Sequence, residues 1–208
     1  MSSVSAKGHK LNRRGRETRQ HVLETAVRCL AAGGPEPVSA NLIAREAGMT
    51  WGTVQHQFGD KDGLWAAVLD GISAAIDERG GALLPIPADV TGLSERVTVI
   101  IDTIWNALER PAMQAMFNLR SALPRARPDL EAEYPRTAAA LVRWDTDWAQ
   151  ACRDAFADFD VDPVKLDRVR SLLPGAVRGL NQEQHLSSFT DFDQARRGLA
   201  EAITAYLS

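Results

Sequence analysis

Cysteine is nearly missing from this chain of 208 residues: the two present, Cys29 and Cys152, lie far apart in helical patterns, with no CxxC spacing and no histidine cluster beside them. The pattern excludes a disulfide scaffold and reads both as reduced core thiols rather than redox or metal ligands. No apolar run approaches the roughly eighteen residues needed to cross a bilayer. The first twenty residues also lack the apolar stretch that follows the basic part of a signal peptide, so a cytoplasmic protein that stays out of membranes is expected. Absent as well are a GxGxxG or phosphate-cradling loop and a Ser or Cys nucleophile motif. His9, His21, His56 and His185 are scattered, and Asp158, Asp160 and Asp162 read as a solvated helix end. Neither catalysis nor a metal nor a cofactor is expected.

What is present begins with 45% hydrophobic residues, enough for a buried core in one large domain or two small ones. The net charge of −3 hides an asymmetry: residues 1–20 hold six basic side chains against Glu17 alone, a net of +5. Residues 1–65 sum to +3 and the rest of the chain to −6. A basic front end that meets a polyanion fits this distribution; a solvated basic tail is the alternative.

Nearly every periodic segment has helical spacing, with apolar residues recurring at three and four. Val22, Ala26 and Leu30 share one face of a first helix, from about Arg16 to Ala32, which stops at Gly33-Gly34-Pro35. Ser39 precedes a short helix carrying Leu42, Ile43 and Ala47, and a second short helix follows from Thr50 to Gln57. Asp60 can cap a longer one, with the stripe Leu64, Val68, Ile72 and Ile76. Glycine and proline between Gly80 and Gly92 mark a boundary. Beyond it come helices around Val97 to Leu108, around Met113 to Leu119, and from Leu141 to Phe159 with Pro135 starting or kinking it. The last two run around Val169 to Leu180, with Pro174 expected to bend the helix, and around Phe192 to Tyr206. The expected fold class is all-α with about nine helices: a flexible basic arm (1–15), a three-helix domain (16–60), a connecting helix (61–79) and a C-terminal helical domain (80–208).

Two short helices joined by a tight glycine corner under a longer first helix describe a helix-turn-helix. Ile43, Ala44 and Ala47 face the core between the short helices, Gly48 makes the corner, and Val54 and Phe58 bury the second short helix. Thr50 caps that helix, and Trp51, Thr53, Gln55 and His56 then point outward, toward a major groove about 12 Å wide.

Residues 39 to 64, SANLIAREAGMTWGTVQHQFGDKDGL, resemble the DNA-binding signature of TetR-type (TetR/AcrR) transcriptional regulators. Ile43, Ala44, Ala47, Gly48, Gly52, Phe58, Lys61 and Leu64 match outright; Ser39, Met49, Thr50 and Val54 match conservatively. The resemblance implies phosphate contacts from Ser39 and Lys61, base reading by Asn41, Trp51, Thr53 and Gln55, and flanking backbone contacts from His56 and Gln57. Arg13, Arg14 and Arg16 add affinity without sequence information or reach a minor groove. Gln55 departs from the family's tyrosine: it either pairs bidentately with adenine or touches only phosphate and water. Trp51 either stacks on the DNA or shields its own helix.

The resemblance also implies a homodimer built by the last two helices on a double-stranded operator. Leu172, Leu173, Gly175, Ala176, Gly179, Leu180, Leu199, Ile203 and Tyr206 are the candidate interface, with monomer core as the alternative. It further implies a small-molecule effector among Trp105, Met113, Met116, Phe117, Arg120, Trp144 and Trp148, although such stripes are more often plain core. An apolar or amphipathic ligand that releases a repressor from its operator is the reading; a helical DNA-binding or interaction protein without an effector is the alternative.

Overall fold

The computed structural model describes residues 12–33, 38–77, 83–186 and 189–208. Among them are ten α-helices and no strand: α1 Arg13–Ala32, α2 Ala40–Glu46, α3 Trp51–Phe58, α4 Lys61–Asp77, α5 Leu93–Leu108, α6 Pro111–Ser121, α7 Arg127–Glu133, α8 Pro135–Ala155, α9 Pro163–Glu183 and α10 Phe192–Leu207. The all-α class is as expected, with one helix more. The addition is α7, which buries no residue and so carries no apolar stripe to read. Pro128 sits in its first turn, where the missing N–H costs nothing.

Two other ends shift. Arg13 and Arg14, assigned to a flexible arm, instead open α1, because Asn12 caps the helix by accepting the Gly15 N–H at 2.8 Å. Residues 1–11 of that arm lie outside the described ones. α8 stops at Ala155, so Phe159 falls beyond it, with its ring 6.3 Å from that of Phe156.

The chain divides into two compact units, Met1–Arg79 with Arg110–Trp144, and Gly80–Glu109 with Asp145–Ser208. α6, α7 and the start of α8 therefore group with the N-terminal helices, not with a domain running from 80 to 208. Packing explains this: Ala115, Met116 and Leu119 of α6 share one core with Val22, Ala26 and Leu30 of α1. Asn118 Nδ2 adds a 2.7 Å hydrogen bond to the Leu30 carbonyl near the end of α1.

In the second unit α5 packs on α9 and α10. Val97, Ile100, Ile101 and Trp105 are buried there, as are Val169, Leu173 and Val177 of α9 and Ala200, Ile203 and Leu207 of α10. Two polar devices complete it. Pro174 stands inside α9 and cannot donate to the carbonyl four residues back. That carbonyl, of Arg170, accepts the Trp148 indole N–H at 3.0 Å instead. The second device is the buried Arg96, which donates to the Val90 carbonyl at 2.7 Å, to the Ala155 carbonyl, and to both Asp158 oxygens at 3.0 and 2.9 Å. Its guanidinium also lies 4.9 Å from the Phe159 ring centroid.

Arg96→Met removes the donor for two backbone carbonyls while keeping the apolar volume. A loss of about 2–3 kcal/mol is expected from the unmade charged hydrogen bonds, seen as a lowered urea midpoint at unchanged slope. A midpoint equal to the parent's contradicts the assignment.

Candidate DNA-binding surface

The surface is set by what the first unit buries. Ile43, Ala44 and Ala47 of the α2 segment are buried, as are Val54 and Phe58 of α3. Between the short helices Gly48 takes φ +67, a left-handed conformation that costs a residue with Cβ about 1–2 kcal/mol. Both helices start on side-chain caps: Ser39 Oγ accepts the Leu42 N–H at 3.1 Å, and Thr50 Oγ1 accepts the Thr53 N–H at 3.3 Å.

What remains outside is the expected reading face. Thr53, Gln55 and His56 on α3 are exposed, together with Ser39, Asn41, Thr50 and Lys61 around it. Trp51 is half-buried and packs against the core, so shielding its own helix is part of what it does. Gln57 does not join the face: it is 7% exposed, because positions 54, 57 and 58 fall on the buried side of an eight-residue helix. Arg13, Arg14 and Arg16 are exposed in the first turns of α1, where Arg13 pairs with Glu17 at 3.2 Å.

Sequence reading missed Arg19. Its Nη1 donates to the Gln57 carbonyl at 2.9 Å, and its guanidinium stands 4.2 Å from the Phe58 ring centroid, tying α1 to the end of α3. Helical spacing alone gives no sign of such a tie.

Just past α3, Asp60 and Asp62 flank Lys61. Asp60 Oδ1 caps α4 by accepting the Gly63 N–H at 2.9 Å. Asp62 is buried and caps a different helix: its carboxylate accepts from the N–H groups of Arg136 at 3.0 Å and Thr137 at 2.8 Å, and from Thr137 Oγ1 at 2.7 Å. Burial alone would raise the Asp62 pKa, but the bonds from Thr137 and Arg136 outweigh it and hold the carboxyl below its ordinary 3.8. No set of His, Cys, Asp and Glu able to hold a metal forms among the described residues. Burial also pushes the Cys152 thiol up to about 12, so that thiol is inert at neutral pH.

The expected effector residues divide between the units. Met116 is buried in the first core, with Met113, Phe117 and Trp144 half-buried against it, and Arg120 is exposed. Trp105 and Trp148 belong to the second unit. There Trp105 lies 6.4 Å from the Phe192 ring and 4.8 Å from the Arg196 guanidinium, and Trp148 serves Arg170. The expected dimer residues also separate. Leu173 and Ile203 are buried within the unit itself. Leu172, Gly175, Gly179 and Tyr206 are exposed, with Ala176, Leu180 and Leu199 intermediate.

Residues 22–68 match the family model described as bacterial regulatory proteins, tetR family. No curated protein matches the chain. Solved structures of similar fold include the multidrug binding protein EbrR complexed with imidazole, at TM-score 0.61 and 20% identity over 99% of this chain and 97% of that one. NalD of Pseudomonas aeruginosa, described as the secondary repressor of the MexAB-OprM multidrug efflux pump, gives 0.61 and 17% over 93% and 98%. A TetR transcriptional regulator from Rhodococcus sp. RHA1 gives 0.56 and 19% over 93% and 99%. At these identities the likeness establishes the shared fold. No helix among the described residues is long and apolar enough to cross a membrane.

Because the Asp62 value falls on folding, its contribution is present in full above 3.8 and is lost as pH drops through the lower folded-state value. Asp62→Asn should therefore be less stable than the parent at neutrality, with the gap closing in strong acid. Thermal melts across that range test it; a gap that stays constant with pH contradicts it.

Proposed function

We propose, from a chain whose residues 22–68 match the model of the tetR family of bacterial regulatory proteins, that it regulates transcription by reading double-stranded operator DNA with α3. The observation that carries this reading is the division of α3 into a buried side, Val54, Gln57 and Phe58, and an exposed side, Thr53, Gln55 and His56. Exposed Asn41 extends the reading face, while Ser39, Lys61 and the α1 arginines supply phosphate contacts.

One short helix reads few bases, so two copies are needed about 34–36 Å apart, one DNA turn. The surface offered for pairing is the outer face of α9 and α10, with Leu172, 58% exposed, and Gly175, Gly179 and Tyr206 on it. Leu173 and Ile203 act from behind as core.

Release by a small apolar or amphipathic effector completes the proposal. It is supported by the half-buried Met113, Phe117 and Trp144, and by neighbours described as a multidrug binding protein and an efflux-pump repressor. An effector shifts the DNA-competent population only by its differential affinity for two states, about 5.5 kcal/mol for full reversal. The reading without an effector draws on the close packing of Met116, which is 2% exposed. Native mass spectrometry with a panel of lipophilic cations and fatty acids separates the two: a bound species that also lowers operator affinity supports the sensor.

Genomic pull-down with the purified protein should recover promoter fragments. On such a fragment Gln55→Ala is expected to weaken specific binding by about 1–3 kcal/mol if the glutamine reads a base, while leaving affinity for unrelated DNA unchanged. Equal loss on both assigns Gln55 to the backbone, and no recovered fragment contradicts DNA reading altogether.

A further inference from the structure

The corner between α3 and α4 carries two carboxylates, Asp60 and Asp62, on either side of Lys61. Left alone, they would oppose the approach of a phosphate backbone to that edge. Arg136, more than seventy residues away in sequence, answers both: Nη2 pairs with Asp60 and Nε pairs with Asp62 at 3.1 Å. Its Nη1 also stands 3.5 Å from the Phe58 carbonyl, the last of α3.

The fit leaves no room for a side chain at position 63. A Cβ built on Gly63 would lie 2.0 Å from the Phe58 oxygen and 2.7 Å from Arg136 Nη1. α4 can therefore begin this close to the end of α3, with the guanidinium between them, only because residue 63 is glycine. Thr137, fully buried, fixes the register of the joint by donating through both its N–H and its hydroxyl to Asp62. One residue before the helix, Tyr134 Oη holds Lys61 Nζ at 3.2 Å, with the ammonium 5.4 Å from the ring centroid.

We infer that the Tyr134–Thr137 start of α8 is a brace for the DNA-reading edge, in which Arg136 is a positioning residue that masks Asp60 and Asp62 and fixes the end of α3, while Tyr134 holds Lys61. The inference rests on the DNA-reading proposal for its purpose. The brace itself is independent of that proposal. Every residue in it lies within the first unit, and the helical stripes of the sequence give no hint of it.

The test compares Arg136→Ala and Arg136→Lys with the parent protein on a recovered promoter fragment and, without DNA, by amide exchange. Arg136→Ala should lose roughly tenfold in operator affinity, equivalent to about 1.4 kcal/mol, with the slope of log affinity against log salt unchanged. Arg136→Lys, which keeps the charge but not the two-sided fork, should fall between. Exchange at the Gly59 and Gly63 amides should quicken in Arg136→Ala while the melt stays cooperative. A salt slope reduced by about 0.9 makes Arg136 a phosphate ligand and overturns the positioning role. Unchanged exchange overturns the brace alone, whereas a parent protein that binds no DNA overturns the purpose assigned to it. If Arg136→Ala does not fold, Arg136→Lys decides: parent-like affinity and exchange would both count against the brace.

Discussion

A helix of eight residues cannot hold itself together in water, because its few internal hydrogen bonds do not repay the cost of starting the first turn. α3 exists because Val54, Gln57 and Phe58 are buried against the rest of the first unit and because Thr50 and the Gly59 turn close its two ends. The burial that makes the helix possible also decides what is left outside. Thr53, Gln55 and His56 are exposed since they occupy the remaining arc. The buried and exposed sides of this eight-residue segment are thus set together.

Around this helix the first unit is built as a set of ties to its ends. Arg19 reaches from α1 to the Gln57 carbonyl, and Arg136 reaches from α8 to the Asp60–Asp62 corner. These contacts are polar and at least partly exposed, so each is modest in energy. Their value is directional: planar guanidinium groups fix orientation where apolar packing fixes only distance. The second unit uses the same chemistry for a different end, with Arg96 binding the segment around Val90 to the end of α8.

The helix-turn-helix was legible in the sequence because everything it needs is local. Ala44, Ala47, Gly48, Val54 and Phe58 lie within fifteen residues of one another, and their spacing encodes both the corner and the buried side. Gln57 is polar on the buried side, which a hydrophobic pattern reads as surface. α7 escaped notice for the opposite reason: only Leu130 packs, half-buried, against the core, and a single residue leaves no stripe. The cap of α8 by Asp62 and the Trp148 bond to Arg170 span 75 and 22 residues, and no local pattern announces a partner so far away. The family resemblance likewise grouped Trp105, Met116 and Trp148 around one effector, whereas packing divides them between two units.

The central claim is that the exposed side of α3 enters a duplex groove. Hydroxyl-radical footprinting of the protein, free and bound to a promoter fragment it selects from its own genome, tests this most directly. Protection is expected at Trp51 and His56, with buried Val54 and Phe58 unreactive in both states. Protection confined to the second unit, with the α3 side chains as reactive bound as free, would contradict it.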